Sequence, residues 1–201
     1  MIRNVIFDFG AVLFHWDPHQ IVASFTDSID EQNLLLEDVF HHPDWLSLDR
    51  GTMLMAEVIP KFAARTGLTV SRMEDFFEHV LNSLVKIDET EELLYRLLDH
   101  HYSIYYLTNM SSAFFETLNE RNNFISLFKG GVVSGKELMM KPDPEIFKLI
   151  IERYDLVPSD TLFIDVHEQN VNAAQALGFH TVQFELSASC FHLINKILDI
   201  N

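Results

Sequence analysis

The chain has 201 residues, a length that suits one domain or a core domain with an insert. It carries 14 Lys and Arg against 30 Asp and Glu, a formal net charge of −16, and 48% of its residues are hydrophobic. This apolar content excludes a disordered chain, and the lack of a basic stripe excludes nucleic acid as a partner. The same charge would repel an anionic substrate, so a site that handles phosphate needs local positive charge.

The sequence also indicates the cellular setting. Its single cysteine, Cys190, cannot form an intramolecular disulfide, which fits a reducing, cytoplasmic compartment. The apolar run over 1–14 is interrupted by Arg3 and Asp8 and lacks the cleavage pattern of a signal peptide. No later stretch reaches about 18 uncharged apolar residues, so we expect no membrane span. The oligomeric state does not follow from the sequence.

Short strands alternate with helices along most of the chain. Five apolar runs predict β-strands, at 5–7, 103–107, 131–133, 161–164 and 181–184. A helical pattern over 88–100 precedes the second strand, and further helical patterns separate the last four strands, over 111–121, from Asp143 onward and over 170–177. Asp88 with Glu91 fits a capping box, Asp143 before a proline fits an N-cap, and Gly178 fits a C-cap. This alternation predicts an α/β fold with a parallel sheet and right-handed crossovers.

The interval over 15–86 breaks this alternation, because it contains helical patterns and no convincing strand. Helices are predicted at 18–25, 31–40, 53–66 and 71–85, the last introduced by Ser71 with Glu74 as a capping box. The segment with Trp45, Asp49 and Arg50 is predicted to be a loop. So much helix exceeds a simple crossover. We therefore predict a core domain over 1–14 and 87–201, with a helical insert over 15–86.

Polar residues follow successive predicted strands. Asp8 follows the first strand, Thr108 and Asn109 the second, and Asp165 the fourth, while Lys141 lies in the loop after the third. Ligands of open parallel sheets bind beyond the carboxyl ends of the strands, where such loops converge. The sequence therefore predicts one polar pocket that contains all five side chains.

These residue types suit a reaction in which a carboxylate attacks phosphorus or carbon and takes up the transferred group. A carboxylate such as Asp8 can attack in line and form a covalent aspartyl intermediate. Thr108 and Asn109 can donate hydrogen bonds to the transferred group, and Lys141 can stabilise the developing negative charge. Asp165 can help to hold Mg²⁺, which uses one or two carboxylates together with phosphate oxygens.

One residue of the insert is a further candidate for the site. Arg50 can reach over the pocket and pair with an anionic substrate, because a guanidinium suits phosphate and carboxylate. A surface arginine that pairs with Asp49 or Asp44 is an equally good interpretation of the same residue.

Four motifs in this order resemble those of the haloacid dehalogenase superfamily. They are VIFDFGAVL at 5–13, LTN at 107–109, KPDPEIF at 141–147, and FID at 163–165 with Asn170 and the following 173–179 segment. The resemblance covers nearly the whole chain and is greatest to a subgroup with bacterial sugar-phosphate phosphatases and the epoxide hydrolase N-terminal domain. It implies a Rossmann-like core, a helical cap, Asp8 as nucleophile, and Mg²⁺ held by Asp8, the Gly10 carbonyl and Asp165.

The sequence departs from the pattern of family phosphatases at two positions. Gly10 stands where most of them have an acid that protonates the leaving group and activates water. Val166 stands where they commonly have a second acid of the metal site. Family dehalogenases also lack the first acid, because halide leaves without a proton.

Three hypotheses follow. The leading one is a Mg²⁺-dependent phosphatase that acts on a small phosphorylated metabolite, such as a sugar phosphate, through an aspartyl-phosphate at Asp8. The second is a metal-independent 2-haloacid dehalogenase, which Gly10 and Val166 favour. The third is a family member that binds a ligand or a protein without turnover.

Overall fold

A computed structural model describes residues 1–200 and has a five-stranded parallel sheet at its centre. The strands are β1 (Asn4–Phe7), β2 (Ser103–Thr108), β3 (Gly130–Val133), β4 (Thr161–Asp165) and β5 (His180–Gln183), in the order β3-β2-β1-β4-β5. All four neighbouring pairs are parallel. The predicted α/β fold is confirmed. Chain order reverses at β1, so the loops after β1, β2 and β4 converge there.

Burial explains why these short runs form strands. Val5, Ile6 and Phe7 have no exposed surface, and every residue of β4 is buried. Continuous apolar runs of this kind are typical of parallel strands that helices cover on both faces. Asp165 ends β4 in the same buried environment, which places a carboxylate at the carboxyl edge of the sheet.

Helices alone fill the chain between β1 and the next core helix. They are α1 (Pro18–Phe25), α2 (Ile29–Leu35), α3 (Pro43–Arg50), α4 (Met55–Thr66) and α5 (Val70–Ser83), and a π-helical turn at Leu36–Phe40 continues α2. The two ends of this insert run side by side: His15 N–H donates to Val85 O at 2.8 Å and Ile87 N–H to Leu13 O at 2.8 Å. The domain boundaries at 15 and 86 stay a prediction.

The prediction of a loop around Trp45 is wrong, because this segment forms helix α3. His42 accepts a hydrogen bond from Asp44 N–H at 3.0 Å, and Pro43 occupies the first turn. Gly51 ends the helix with φ +85°, a left-handed conformation that favours glycine. The N-cap is a histidine rather than the usual Ser, Thr, Asp or Asn, so the sequence lacked the standard start signal.

Both predicted capping boxes are wrong as well. Thr69, whose side chain accepts from Arg72 N–H at 3.1 Å, caps α5, and Ser71 lies inside that helix. The next helix begins after Ile87, whose side chain makes no capping hydrogen bond. Lys86 forms ion pairs with both Asp88 and Glu91, so charge pairing rather than capping explains the spacing of these two acids.

Six helices complete the core. They are α6 (Asp88–Asp99), α7 (Ser112–Arg121), α8 (Ser134–Glu137), α9 (Pro144–Tyr154), α10 (Glu168–Ala176) and α11 (Ala188–Leu198). Asp143 caps α9 by accepting from Glu145 N–H at 3.0 Å, as expected. Gly178 has φ +91° just beyond α10, which fits the predicted stop. Over residues 1–200, no helix has the length and apolar character needed to cross a membrane.

The end of α3 is docked on the core at α8. Ser134 Oγ donates to the Asp49 carbonyl at 2.5 Å and accepts from Met110 N–H at 2.8 Å. A Cβ on Gly51 would lie 2.2 Å from the Gly135 carbonyl oxygen, so only glycine allows this approach. The insert is thereby fixed above the carboxyl ends of β2 and β3.

Substitution of Gly51 tests this docking. Gly51→Ala adds backbone strain and a clash with Gly135, whereas Gly67→Ala adds the same kind of strain (φ +74°) with no atom within 4 Å. We expect Gly67→Ala to cost about 1 kcal/mol of unfolding free energy and Gly51→Ala at least about 2 kcal/mol more. Urea unfolding measures both, and equal losses would contradict the docking.

Candidate active site

A buried lysine joins two carboxylates at the carboxyl edge of the sheet. Lys141 Nζ lies 3.0 Å from Asp8 Oδ1 and 2.6 Å from Asp165 Oδ2, and it donates to the Leu107 carbonyl at 2.8 Å. The Lys141 and Asp165 side chains have no exposed surface, and that of Asp8 is 9% exposed. The structure therefore brings together three of the predicted site residues, which are far apart in sequence.

Burial and mutual charge shift the protonation of this group. Loss of hydration raises the pKa of Asp8 to about 6, because it and the charge of Asp165 outweigh the attraction of Lys141. Burial alone would lower the pKa of Lys141, but the two carboxylates raise it above the usual value. At neutral pH the arrangement thus holds a lysinium and an ionised nucleophile candidate.

Local hydrogen bonds fix each member of the group. Asp8 Oδ1 accepts from Phe9 N–H at 2.8 Å, and Oδ2 forms no hydrogen bond or ion pair with residues 1–200. Asn109 clamps the Lys141 loop: its Nδ2 donates to the Lys141 carbonyl at 2.9 Å and its Oδ1 accepts from Lys141 N–H at 2.8 Å. The amide expected to bind the transferred group thus also positions the lysine.

Asn170 belongs to the hydrogen-bonded group around Lys141, although the sequence marks it only as part of the fourth motif. Its Nδ2 donates to Asp165 Oδ1 at 3.1 Å and Oδ2 at 3.0 Å, and Oδ1 also accepts from His167 N–H at 2.8 Å. With Lys141 on Oδ2, both oxygens of Asp165 are fully used. The contacts of Asp165 favour a role in orienting Lys141. The assignment of Asp165 as a direct metal ligand stays a prediction.

A cavity of about 330 Å³ lies above Asp8, between the core and the insert. Asp8, Gly10, Asn109, Lys141 and Asn170 form its polar floor. The remaining surface is mostly apolar and aromatic, lined by Trp16, Pro18, Phe40, Trp45, Leu46, Leu84, Met110, Phe114 and Met140, with His41, Asp49 and His167 among them.

Three predicted site residues lie outside this cavity, and one of them is Asp165, which is fully buried against Lys141. Arg50 is exposed and lines an adjoining cleft that shares Asn109, Lys141 and Asn170 with it. Thr108 is the last residue of β2, buried and absent from the lining of both spaces. Arg50 is therefore placed to meet a ligand that extends outward, and the role of Thr108 as a hydrogen-bond donor to the transferred group stays a prediction.

Asp49, on α3, contributes a second acid to the cavity. Burial, with a smaller contribution from the negative charge of Asp8, raises its pKa to about 8. Hydrogen bonding from the backbone N–H of Ser111 and from the Trp45 side chain lowers the pKa, but by less than burial raises it. The sequence alone indicates Asp49 as a surface partner of Arg50 and does not indicate that it lines the cavity.

The donor set bears on whether Mg²⁺ can bind. Among residues 1–200, no three His, Cys, Asp or Glu side chains group closely enough to hold a metal by themselves. Mg²⁺ needs only one or two carboxylates when waters and phosphate oxygens complete its shell. The Asp8 carboxylate fits, and so do two neutral oxygens at the floor, the Gly10 carbonyl and the Asn170 amide.

Sequence comparisons identify the relatives of this chain. A family model described as haloacid dehalogenase-like hydrolase matches residues 5–184. The sesquiterpene phosphatase astK of Aspergillus oryzae is 29% identical over 95% of this chain and 94% of its own. A D-ribitol-5-phosphate phosphatase of Bacteroides thetaiotaomicron is 27% identical over 99% and 100% of the two chains. The resemblance seen in the four motifs is confirmed.

Solved structures agree with this assignment. A HAD family enzyme from Bacteroides thetaiotaomicron has a TM-score of 0.79 and 25% identity, covering 96% of this chain and 99% of that one, in a complex with magnesium and inorganic phosphate. L-2-haloacid dehalogenase of Xanthobacter autotrophicus has a TM-score of 0.69 at 17% identity over 99% and 83% of the chains, which shows a shared fold alone.

Removal of the lysine tests the charge group. Lys141→Met leaves two carboxylates buried without a cation, and we expect a loss of about 3–5 kcal/mol of unfolding free energy at pH 7. The loss should be smaller near pH 4, because protonation relieves the unpaired carboxylates. Lys148→Met, on the exposed surface of α9, is the control and should change stability by less than about 0.5 kcal/mol. Similar losses in both variants, measured by urea unfolding, would refute the interpretation.

Proposed function

We propose that this chain, which belongs to the haloacid dehalogenase-like hydrolases, is a Mg²⁺-dependent phosphatase of a small phosphate monoester. The observation that carries the proposal is Lys141, buried between Asp8 and Asp165 beneath the cavity. This arrangement keeps one carboxylate ionised and places a cation beside it. Two relatives of matching length are named as phosphatases, which supports the same activity.

In this proposal Asp8 is the nucleophile. Its Oδ2, which forms no hydrogen bond within the described chain, attacks phosphorus and forms an aspartyl-phosphate as the ester oxygen leaves. Lys141 offsets the negative charge that gathers on Asp8 and the phosphoryl oxygens. Water then cleaves the intermediate at phosphorus and restores Asp8. Asp8, the Gly10 carbonyl and the Asn170 amide would hold Mg²⁺, which when bound would supply the further positive charge that a dianionic phosphate needs.

The acidic site makes this cation important. Asp8 and Asp165 carry two negative charges against the one positive charge of Lys141, within a chain of net charge −16. Without added positive charge, a phosphate dianion would be repelled from the floor of the cavity. We therefore expect phosphate binding and Mg²⁺ binding to depend on each other.

The lining of the cavity supports a substrate class. The sequence resemblance favoured a sugar phosphate, whose hydroxyl groups need polar partners. The roof, however, is formed by rings and aliphatic chains such as Trp16, Phe40, Trp45 and Phe114. An apolar alcohol would gain from contact with this surface, whereas a polyol would lose hydration. We propose the phosphate ester of a hydrophobic alcohol, in keeping with the sesquiterpene phosphatase among the relatives.

A direct assay tests the activity. With Mg²⁺ and p-nitrophenyl phosphate we expect turnover by the wild-type chain, loss in EDTA, and a decrease in kcat on the order of 10³-fold or more in Asp8→Asn. Borohydride trapping should label Asp8. Halide release from 2-chloropropionate in EDTA would instead support the dehalogenase, and ligand binding without turnover on any ester would support the non-enzymatic alternative.

Paired substrates test the class of alcohol. We expect kcat/KM for an isoprenoid monophosphate to exceed that for ribitol 5-phosphate by at least about tenfold, since burial of a few CH₂ groups contributes about 0.8 kcal/mol each. Leu46→Ser, at the cavity edge, should raise KM for the isoprenoid ester and leave that for acetyl phosphate unchanged. Leu193→Ser, on the exposed face of α11, is the control. Preference for the polyol ester would contradict the proposal.

A further inference from the structure

We propose that Asp49 is the general acid and base of this site and replaces the carboxyl group that Gly10 lacks. The inference rests on the proposed phosphatase function. An alkoxide leaving group needs a proton, and the water that cleaves the aspartyl-phosphate must lose one. Neither Gly10 nor the neighbouring Trp16 carries a group that can exchange a proton near neutral pH.

Geometry supplies the first support. Asp49 lines the same cavity as Asp8 and Gly10, and it reaches them from the insert rather than from the core. Both residues line one cavity of about 330 Å³, so a single ligand in that cavity meets both of them. An ester bound between the floor and the aromatic roof would therefore lie between a nucleophile and a second acid.

The protonation of Asp49 suits both halves of the reaction. With a pKa of about 8, caused chiefly by burial, the carboxyl group is mostly protonated at neutral pH. Its position in the last turn of α3 adds to this, because the negative end of the helix dipole disfavours an anion there. A proton exchanger is most effective when its pKa lies near the working pH.

The core holds Asp49 in place by contacts that a surface acid would not need. Ser134 Oγ donates to the Asp49 carbonyl at 2.5 Å, and Ser134 is bound in turn by Met110 N–H. The contact between Gly51 and Gly135 fixes the chain two residues further on. These contacts set the height of the carboxyl group above the floor.

Other titratable groups of the cavity are accounted for. Lys141 is held by two carboxylates, and His41 Nδ1 lies 3.2 Å from Glu37 Oε1. His167 is exposed at the cavity edge, which makes it the competing proton exchanger. On the elements packed against α3, Lys136, Glu137 and Arg65 form ion pairs with Glu116, Arg153 and Asp44, and none of these residues lines the cavity. Glu57, Lys61 and Asp38 on the same elements also lie outside the cavity lining.

The proposed steps balance in atoms and protons. Asp8 Oδ2 forms a bond to phosphorus as the bond between phosphorus and the ester oxygen breaks, and the Asp49 carboxyl proton passes to that oxygen. Asp49, now a carboxylate, takes a proton from water as the water oxygen attacks phosphorus. The bond between phosphorus and Asp8 then breaks, phosphate leaves, and Asp49 is again protonated.

Leaving-group dependence tests the proposal. Asp49→Asn should lower kcat/KM for an alkyl phosphate about 10²-fold or more, and much less for 2,4-dinitrophenyl phosphate, whose leaving group needs no proton. In the wild type, kcat/KM for the alkyl ester should fall above about pH 8 as Asp49 loses its proton, and Asp49→Asn should lack this decrease. Asp49→Glu should restore part of the activity.

Two controls separate the alternatives. Asp44→Asn removes a charge from the same helix outside the cavity and should leave the ratio of the two substrates unchanged. His167→Gln should also leave it unchanged, and a selective loss there would transfer the role to His167 and overturn the proposal. Equal loss on both esters in Asp49→Asn would mean a structural role and would overturn it too. If the wild type hydrolyses neither ester, the phosphatase proposal itself fails.

Discussion

The burial of one lysine between two carboxylates governs the arrangement of this molecule. A buried ammonium is stable only when paired, so the ends of β1 and β4 and the loop before α9 must meet around Lys141. Asn109 fixes the backbone of that loop, and Asn170 fixes Asp165. The strength of the ion group therefore depends on the parallel sheet, and the geometry of the floor depends on the ion group.

The insert completes the site by adding what the sheet edge lacks. The floor provides ions and amides, whereas Trp16 before α1, Trp45 on α3 and Phe40 of the π-helical turn provide rings that exclude water above it. Exclusion of water strengthens the charge interactions below and also raises the pKa of Asp49. Burial beneath the apolar roof therefore has two effects: it strengthens the charge interactions of the floor and it raises the pKa of Asp49.

The acidity of the chain is consistent with a phosphate site because little of the negative charge at the cavity is left unpaired. Lys141 offsets part of the charge of Asp8 and Asp165, and Asp49 is mostly uncharged at neutral pH. A bound divalent ion would supply the remaining positive charge. The net charge of −16 is a property of the whole surface and does not by itself oppose an anionic ligand.

Local sequence patterns determined the five strands and the acid or lysine at each relevant strand end, because buried runs and their breakers lie within a few residues of each other. Helix α3 has a histidine as its N-cap in place of the usual Ser, Thr, Asp or Asn, and its start was not predicted from the sequence. The placement of Asp49 was also beyond the sequence, since it depends on Ser134, 85 positions away in the chain. Only tertiary packing decided which side chains of the insert face Asp8, because that depends on contacts between distant segments rather than on local periodicity.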